Sequence, residues 1–217
     1  MREKFQEELD GVGSTLVEMA GLVKIAIENA TTALLTADLT LAEKVIAEDL
    51  VIDQIQHDLD ARTISLIAQQ GPVATDLRTL VTSLRMSADL ERMGDLAHHI
   101  AKSARMRYPS TAVPPELSLT IEEMSRVCVK IIEKVALVIK NRDTDRALEL
   151  ERDDDEIDGL HRRIIQTLLD PNWKHGVETA IDMTLLGRYY ERCADHAVSI
   201  ARRVYFLVTG RYANENS

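Results

Sequence analysis

Glu91-Arg92-Met93-Gly94-Asp95 returns, 100 residues on, as Glu191-Arg192-Cys193-Ala194-Asp195. Upstream, Asp49-Leu50-Val51-Ile52-Asp53 returns as Asp154-Asp155-Glu156-Ile157-Asp158 after a shift of 105 residues. The same shift lays Asp38-Leu39-Thr40-Leu41-Ala42-Glu43 on Asp143-Thr144-Asp145-Arg146-Ala147-Leu148 as a helix start. It also pairs Ile55 with Leu160 and Leu59 with Ile164, so the apolar stripe recurs with the charges. A shorter turn at Pro171 absorbs the five-residue difference between the two shifts. Segments that recur in order, stripe included, mark one supersecondary unit used twice.

Around these segments the apolar residues keep helical spacing almost throughout, and no stretch alternates with period two. A first helix is expected over 3–36, weakened at its start by Gly11 and Gly13. Thr40 and Glu43 match a capping box, so a second helix is expected from there to about residue 70. Gly71-Pro72 stops it, and a third follows over 73–107. Three more are expected over 116–141, 143–169 and 177–209, with Gly210 closing the last and a polar tail beyond it. The stretch from Tyr108 to Pro115 holds three prolines and is the one linker-like segment. The expected fold is therefore all-α: a tandem repeat of two antiparallel three-helix bundles, 1–108 and 116–210. The halves are expected to be elongated in tandem, coupled but separately packed, with proteases cutting first in the proline-rich stretch.

Of the 217 residues, 45% are apolar but only 4% aromatic, a mixture that suits helices. The N-terminal ten residues are charged and polar, so no secretory signal is expected, and no apolar run nears the roughly 20 residues of a membrane span. Cys128 and Cys193 fit no metal or redox spacing and read as reduced cytosolic thiols. The net charge of −10 disfavours nucleic acid and anionic lipid and favours cations or a basic partner surface.

Each half carries two carboxylate pairs at i, i+4: Asp49/Asp53 and Glu91/Asp95, then Asp154/Asp158 and Glu191/Asp195. That spacing sets both carboxylates on one helix face about 6 Å apart, where like charges repel. A solvated acidic face explains any one pair; four at matching positions of a repeat favour a cation site in each half. The pairs lie beside the apolar stripes, facing solvent or a groove between helices. Oxygen-only ligands suit magnesium, manganese, calcium or iron. A di-iron carboxylate enzyme needs Glu-x-x-His on two helices; only Asp95-x-x-His98 comes close, and Val198 stands at the equivalent place. The other histidines, His57, His99, His161, His175 and His196, read as solvated or capping groups. Arg92 and Arg192 sit inside the acidic motifs but point about 100° away from them, as suited to a structural ion pair as to a partner contact. No phosphate-binding loop, nucleophile elbow, zinc spacing or dinucleotide fingerprint is present.

The doubled E-R-x-x-D segments, the D-x-x-I-D segments upstream and the ending Val204-Tyr205-Phe206-Leu207-Val208-Thr209-Gly210 resemble the PhoU family over nearly the whole chain. The resemblance implies a pair of three-helix bundles and a non-enzymatic accessory of the high-affinity phosphate transporter. It implies repression of phosphate-starvation genes by linking the transporter ATPase subunit to a membrane sensor histidine kinase. It further implies multinuclear metal clusters, of iron or zinc in some members, on Asp49, Asp53, Glu91, Asp95, Asp154, Asp158, Glu191 and Asp195. Asp rather than Glu at 49 and 154 shortens the reach to a metal. We expect a cytoplasmic homodimer binding a divalent or multinuclear metal (iron, zinc, manganese or magnesium), with no nucleic-acid partner and no membrane insertion. The alternatives are a metal-storage or carboxylate-metal enzyme built on the same pairs, and a plain helical scaffold without metal. No basic nest for an anion is legible in the sequence.

Overall fold

The computed structural model describes residues 2–211, and of Arg2 and Glu151 only the backbone. The tail beyond Arg211 lies outside the described residues. Six helices follow one another: α1 (Arg2–Thr36), α2 (Leu39–Gln70), α3 (Ala74–Arg107), α4 (Pro115–Asn141), α5 (Thr144–Leu168) and α6 (Gly176–Thr209). No strand occurs among the described residues, and none of these helices is long and apolar enough to cross a membrane.

Local chemistry sets the ends. Asp38 caps α2, accepting from the Leu41 amide at 2.9 Å, and its repeat partner Asp143 caps α5, accepting from Arg146 at 3.0 Å. Thr40 is thus not the cap: the aspartate two residues earlier takes the orphan amide, and the helix begins at Leu39. Gly71 ends α2 in the left-handed conformation (φ 54°), which lets its amide reach the Ile67 carbonyl, and Pro72 forbids continuation. Helix α1 runs straight through Gly11 and Gly13. One face of it, including Leu9, Val12, Leu16, Met19, Val23 and Ile27, is buried, and that packing outweighs the glycine cost.

Each half is a three-helix bundle, α1–α2–α3 and α4–α5–α6, as the repeat requires. The halves lie side by side. Helix α1 packs along α4, and α3 runs antiparallel to α6, so these four form a central layer. Helix α2 seats against α1 and α3, and α5 against α4 and α6.

The expectation of separate packing is corrected here: one hydrophobic cluster spans residues from all six helices. Polar contacts cross the seam as well. The fully buried Tyr190 hydroxyl lies 2.7 Å from Thr31 Oγ1, joining α6 to α1, and Lys24 meets Glu133 at 2.7 Å between α1 and α4. Asp89 of α3 accepts from three groups on α6: His196 Nδ1 at 3.0 Å, Ser199 Oγ at 3.1 Å and Arg203 Nε at 2.8 Å. Burial alone would raise the Asp89 pKa, but the hydrogen bonds from His196 and Arg203 overcome it and hold the carboxyl below its ordinary range. The segment between α3 and α4 is no open linker either. Ala112 and Val113 are 5% and 3% exposed and belong to the common core.

Candidate functional site

Two grooves, α2/α3 and α5/α6, receive the eight sequence-marked carboxylates. Asp49 and Asp53 project from α2 towards Glu91 and Asp95 on α3, and Asp154 and Asp158 from α5 towards Glu191 and Asp195 on α6. Each groove can close because small residues line it. A Cβ on Gly94 would stand 3.1 Å from Ile52 Cδ1 and 3.3 Å from Asp49 Oδ1, and one on Gly187 would stand 2.8 Å from His161 Cδ2. Glycine at these two places lets α2 and His161 approach the opposing helix.

The carboxylates are less exposed than their helix-wheel positions suggest. Asp49 is buried, Asp53, Asp154 and Asp158 are half-buried, and Glu91 and Glu191 keep 23% and 18% of their side chains exposed. Asp195 is exposed, and Asp95 keeps 36% of its side chain exposed. The reason is that each apolar stripe is wider than one helix face: the neighbouring helix covers its edge and the flanking acids with it.

Crowding has an electrostatic signature. Burial, then the charges of Asp49 and Asp95, raise the Asp53 pKa. Burial, then Asp95, raise that of Glu91, with Arg92 opposing. In the second groove Asp154 is pushed up to about 6, first by burial and then by Asp195, Asp158, Asp155 and Glu191. One of its oxygens, Oδ1, is buried with no hydrogen-bond partner.

Two histidines and one arginine join the grooves. His98 Nδ1 makes a short hydrogen bond to Asp49 Oδ2 across the first. His161 Nδ1 lies 2.8 Å from Glu191 Oε2 across the second, without hydrogen-bond alignment, and Arg188 holds the other Glu191 oxygen at 2.5 Å. The Nε2 atoms of both histidines are buried and unpartnered. Reading His161 and His196 as solvated or capping is therefore corrected: both are about four-fifths buried and pair with carboxylates. His57, in contrast, is exposed and bonds the backbone one turn back. Arg92 turns back on its own helix to Glu91 and Asp95.

The sequence did carry a signal for these histidines. Asp95-x-x-His98 has its counterpart in Asp158-x-x-His161, on the other helix of the second groove, where a search at the strict repeat position finds only Val198. Each groove thus holds four carboxylates and one imidazole, the imidazole coming from α3 in one half and α5 in the other.

Crowded oxygen donors, with burial and neighbouring charge raising the pKa of Asp53, Glu91 and Asp154 and an orphaned buried oxygen among them, fit the chemistry of a hard divalent cation. As placed, the side chains stand apart: among the described residues no three such donors converge on one point.

The PhoU domain family matches residues 16–104 and 121–204, once per half. Similar proteins include phosphate-specific transport system accessory protein PhoU homolog 2 of Mycobacterium tuberculosis (strain ATCC 25618 / H37Rv), 45% identical over 98% of this chain and 100% of that one. PhoU homolog 1 of Mycobacterium leprae (strain TN) is 44% identical over 100% of this chain and 98% of its own. The crystal structure of PhoU from Pseudomonas aeruginosa superposes with a TM-score of 0.86 at 27% identity, covering 95% of this chain and 100% of that chain.

Proposed function

Because the chain belongs to the PhoU family, we propose that it is an accessory protein of a phosphate transport system that restrains phosphate uptake without catalysing a reaction. It does so by linking the transporter ATPase subunit to a membrane sensor histidine kinase, keeping phosphate-starvation genes off when phosphate is plentiful. The observation that carries this reading is the near-complete, end-to-end match to proteins named as accessories of phosphate transport. The fold supports it physically: six helices of 25 to 35 residues on one shared core make a stiff body with long polar faces. A net charge of −10 favours basic patches on a partner and speeds encounter with them.

Asp49, Asp53, Glu91 and Asp95 would hold a divalent or multinuclear metal in one groove, and Asp154, Asp158, Glu191 and Asp195 in the other. The metal's contribution is charge: it would relieve the repulsion among these acids and draw their side chains together. Arg188 and the two groove histidines orient Glu191 and Asp49 for that purpose. We place the protein in the cytoplasm as a homodimer, a state that sedimentation of the purified chain checks.

The test is affinity capture of the full chain from cells grown in high and in low phosphate. The transporter ATPase and the kinase should be recovered together, and more of the pair in high phosphate. Recovery of neither, from solubilised membranes that contain both, would refute the linkage.

A further inference from the structure

The N-terminal end of α3 and the C-terminal end of α6 enclose an open cavity of about 490 Å³. Three arginines line it, Arg78, Arg85 and Arg203, and no carboxylate does. In a chain with a net charge of −10 three arginines on one cavity wall are out of character, and only Arg203 among them is paired with a carboxylate, Asp89. The remaining walls are mainly apolar, with Leu77 and Val81 37% and 39% exposed and Phe206 behind them.

The cavity's donors are in place and largely unspent. Arg78 gives Nε to the Leu207 carbonyl at 3.1 Å and lays its guanidinium 5.8 Å from the Phe206 ring centroid, which fixes its orientation; its terminal NH groups make no hydrogen bond among the described residues. Arg203 gives Nε to Asp89. Arg85 makes no ion pair or hydrogen bond among the described residues. Thr82 is only 4% exposed and lines the cavity, and among the described residues its hydroxyl makes no hydrogen bond. At the mouth, Val73 caps α3 with no side-chain hydrogen bond, so the first-turn amides beside Ala74 and Thr75 stay open to an acceptor.

We propose that this cavity binds an organic phosphate of about nucleotide size, its phosphate oxygens taken by Arg78, Arg85, Arg203 and Thr82 and its apolar body covering the exposed Leu77 and Val81. Planar guanidinium groups pair with phosphate oxygens two bonds at a time, which selects phosphate over a single point charge. The volume lies within the range of small-molecule sites and is far larger than inorganic phosphate needs. Apolar surface around a cationic end asks for a ligand with both characters. None of the groove carboxylates lines the cavity, so the ligand needs no metal there.

Isothermal titration of the full chain in EDTA tests this with ADP, adenosine and inorganic phosphate as separate probes. ADP should bind at least tenfold more tightly than either fragment. Arg85→Glu should weaken ADP binding tenfold or more. Thr82→Val, which keeps the side-chain shape and removes only the hydroxyl, should weaken it severalfold. Both variants should melt with the parent, since Arg85 is exposed and neither group bonds to the protein. Arg163→Glu, on α5, is the control for bulk charge and should leave the affinity unchanged. Three results would each overturn the proposal: no binding of ADP at millimolar concentration, equal affinity in Arg85→Glu, or phosphate binding as tightly as ADP.

Discussion

Replacing Asp154 by Asn should make the metal-free protein more stable at neutral pH. This carboxyl is half-buried, with Asp158, Glu191 and Asp195 around it and one oxygen unpartnered, and its pKa is raised from 3.8 to about 6. A carboxyl whose folded value exceeds its unfolded one takes up a proton on folding between those two values. Its protonated form contributes stability below about pH 4, and that contribution is lost as pH rises through about 6. The interval of about 2 pH units, at 1.36 kcal/mol each, corresponds to about 3 kcal/mol of strain at pH 7.5. Partial solvent access reduces that to about 1–2 kcal/mol. For a chain of this length the gain raises Tm by roughly 2–8 °C. The assay is thermal unfolding in EDTA from pH 3 to 8. The parent should lose stability relative to Asp154→Asn as pH rises between about 4 and 6, the gap should stay constant above about 7, and the two curves should converge near pH 3. An Asn variant that is no more stable at pH 7.5, or a gap that does not close in acid, would refute the crowding argument for this groove.

Other perturbations probe the seam, the loops and the metal. Asp89→Ala strands three donors on α6; with Arg203 and His196 keeping 29% and 20% exposure to water, the cost should be about 3 kcal/mol, read as a Tm lowered by roughly 6–12 °C. Because the Asp89 carboxyl is held below its ordinary value, that deficit is full above about pH 4 and shrinks as pH falls further, which denaturation at pH 3 and 7 would show. Limited proteolysis should cut the exposed turn between α5 and α6, around Pro171 and Lys174, before the connection at 108–115, whose Ala112 and Val113 are anchored in the core; N-terminal sequencing of the first fragments decides. Changing Asp95 and Asp195 together to Asn should abolish the rise in Tm that manganese or iron produces in the chelator-stripped protein and leave the helical circular-dichroism signal intact, whereas an undiminished rise would remove these residues from the ligand set.

The helices and their duplication were legible because periodicity and cap chemistry act over a few residues: the Gly71-Pro72 stop and the paired segments at 49–53 and 154–158 needed no tertiary information. Competition between nearby signals was not legible. Asp38 and Thr40 both offer a cap oxygen, and only the three-dimensional path shows that Asp38 takes the amide. The carboxylates could be placed on a helix face but not in depth, because how far α2 covers α3 depends on contacts such as Gly94 against Ile52. His161 escaped as the counterpart of His98 for a related reason: the two sit on non-equivalent helices, so a search that holds the repeat register fixed cannot pair them. The shared core and the Asp89 junction join residues more than 100 positions apart, and the arginine cavity gathers α3 and α6 ends; nothing local in either segment announces the other.

The central claim is that this protein restrains phosphate uptake through protein contacts, not chemistry. It is tested most directly by measuring alkaline phosphatase activity and phosphate uptake in phosphate-rich medium, in a deletion strain cleared of paralogous copies. High phosphatase activity and unchecked uptake, both reversed by the intact chain, are the predicted result; normal repression in the deleted strain would contradict the account.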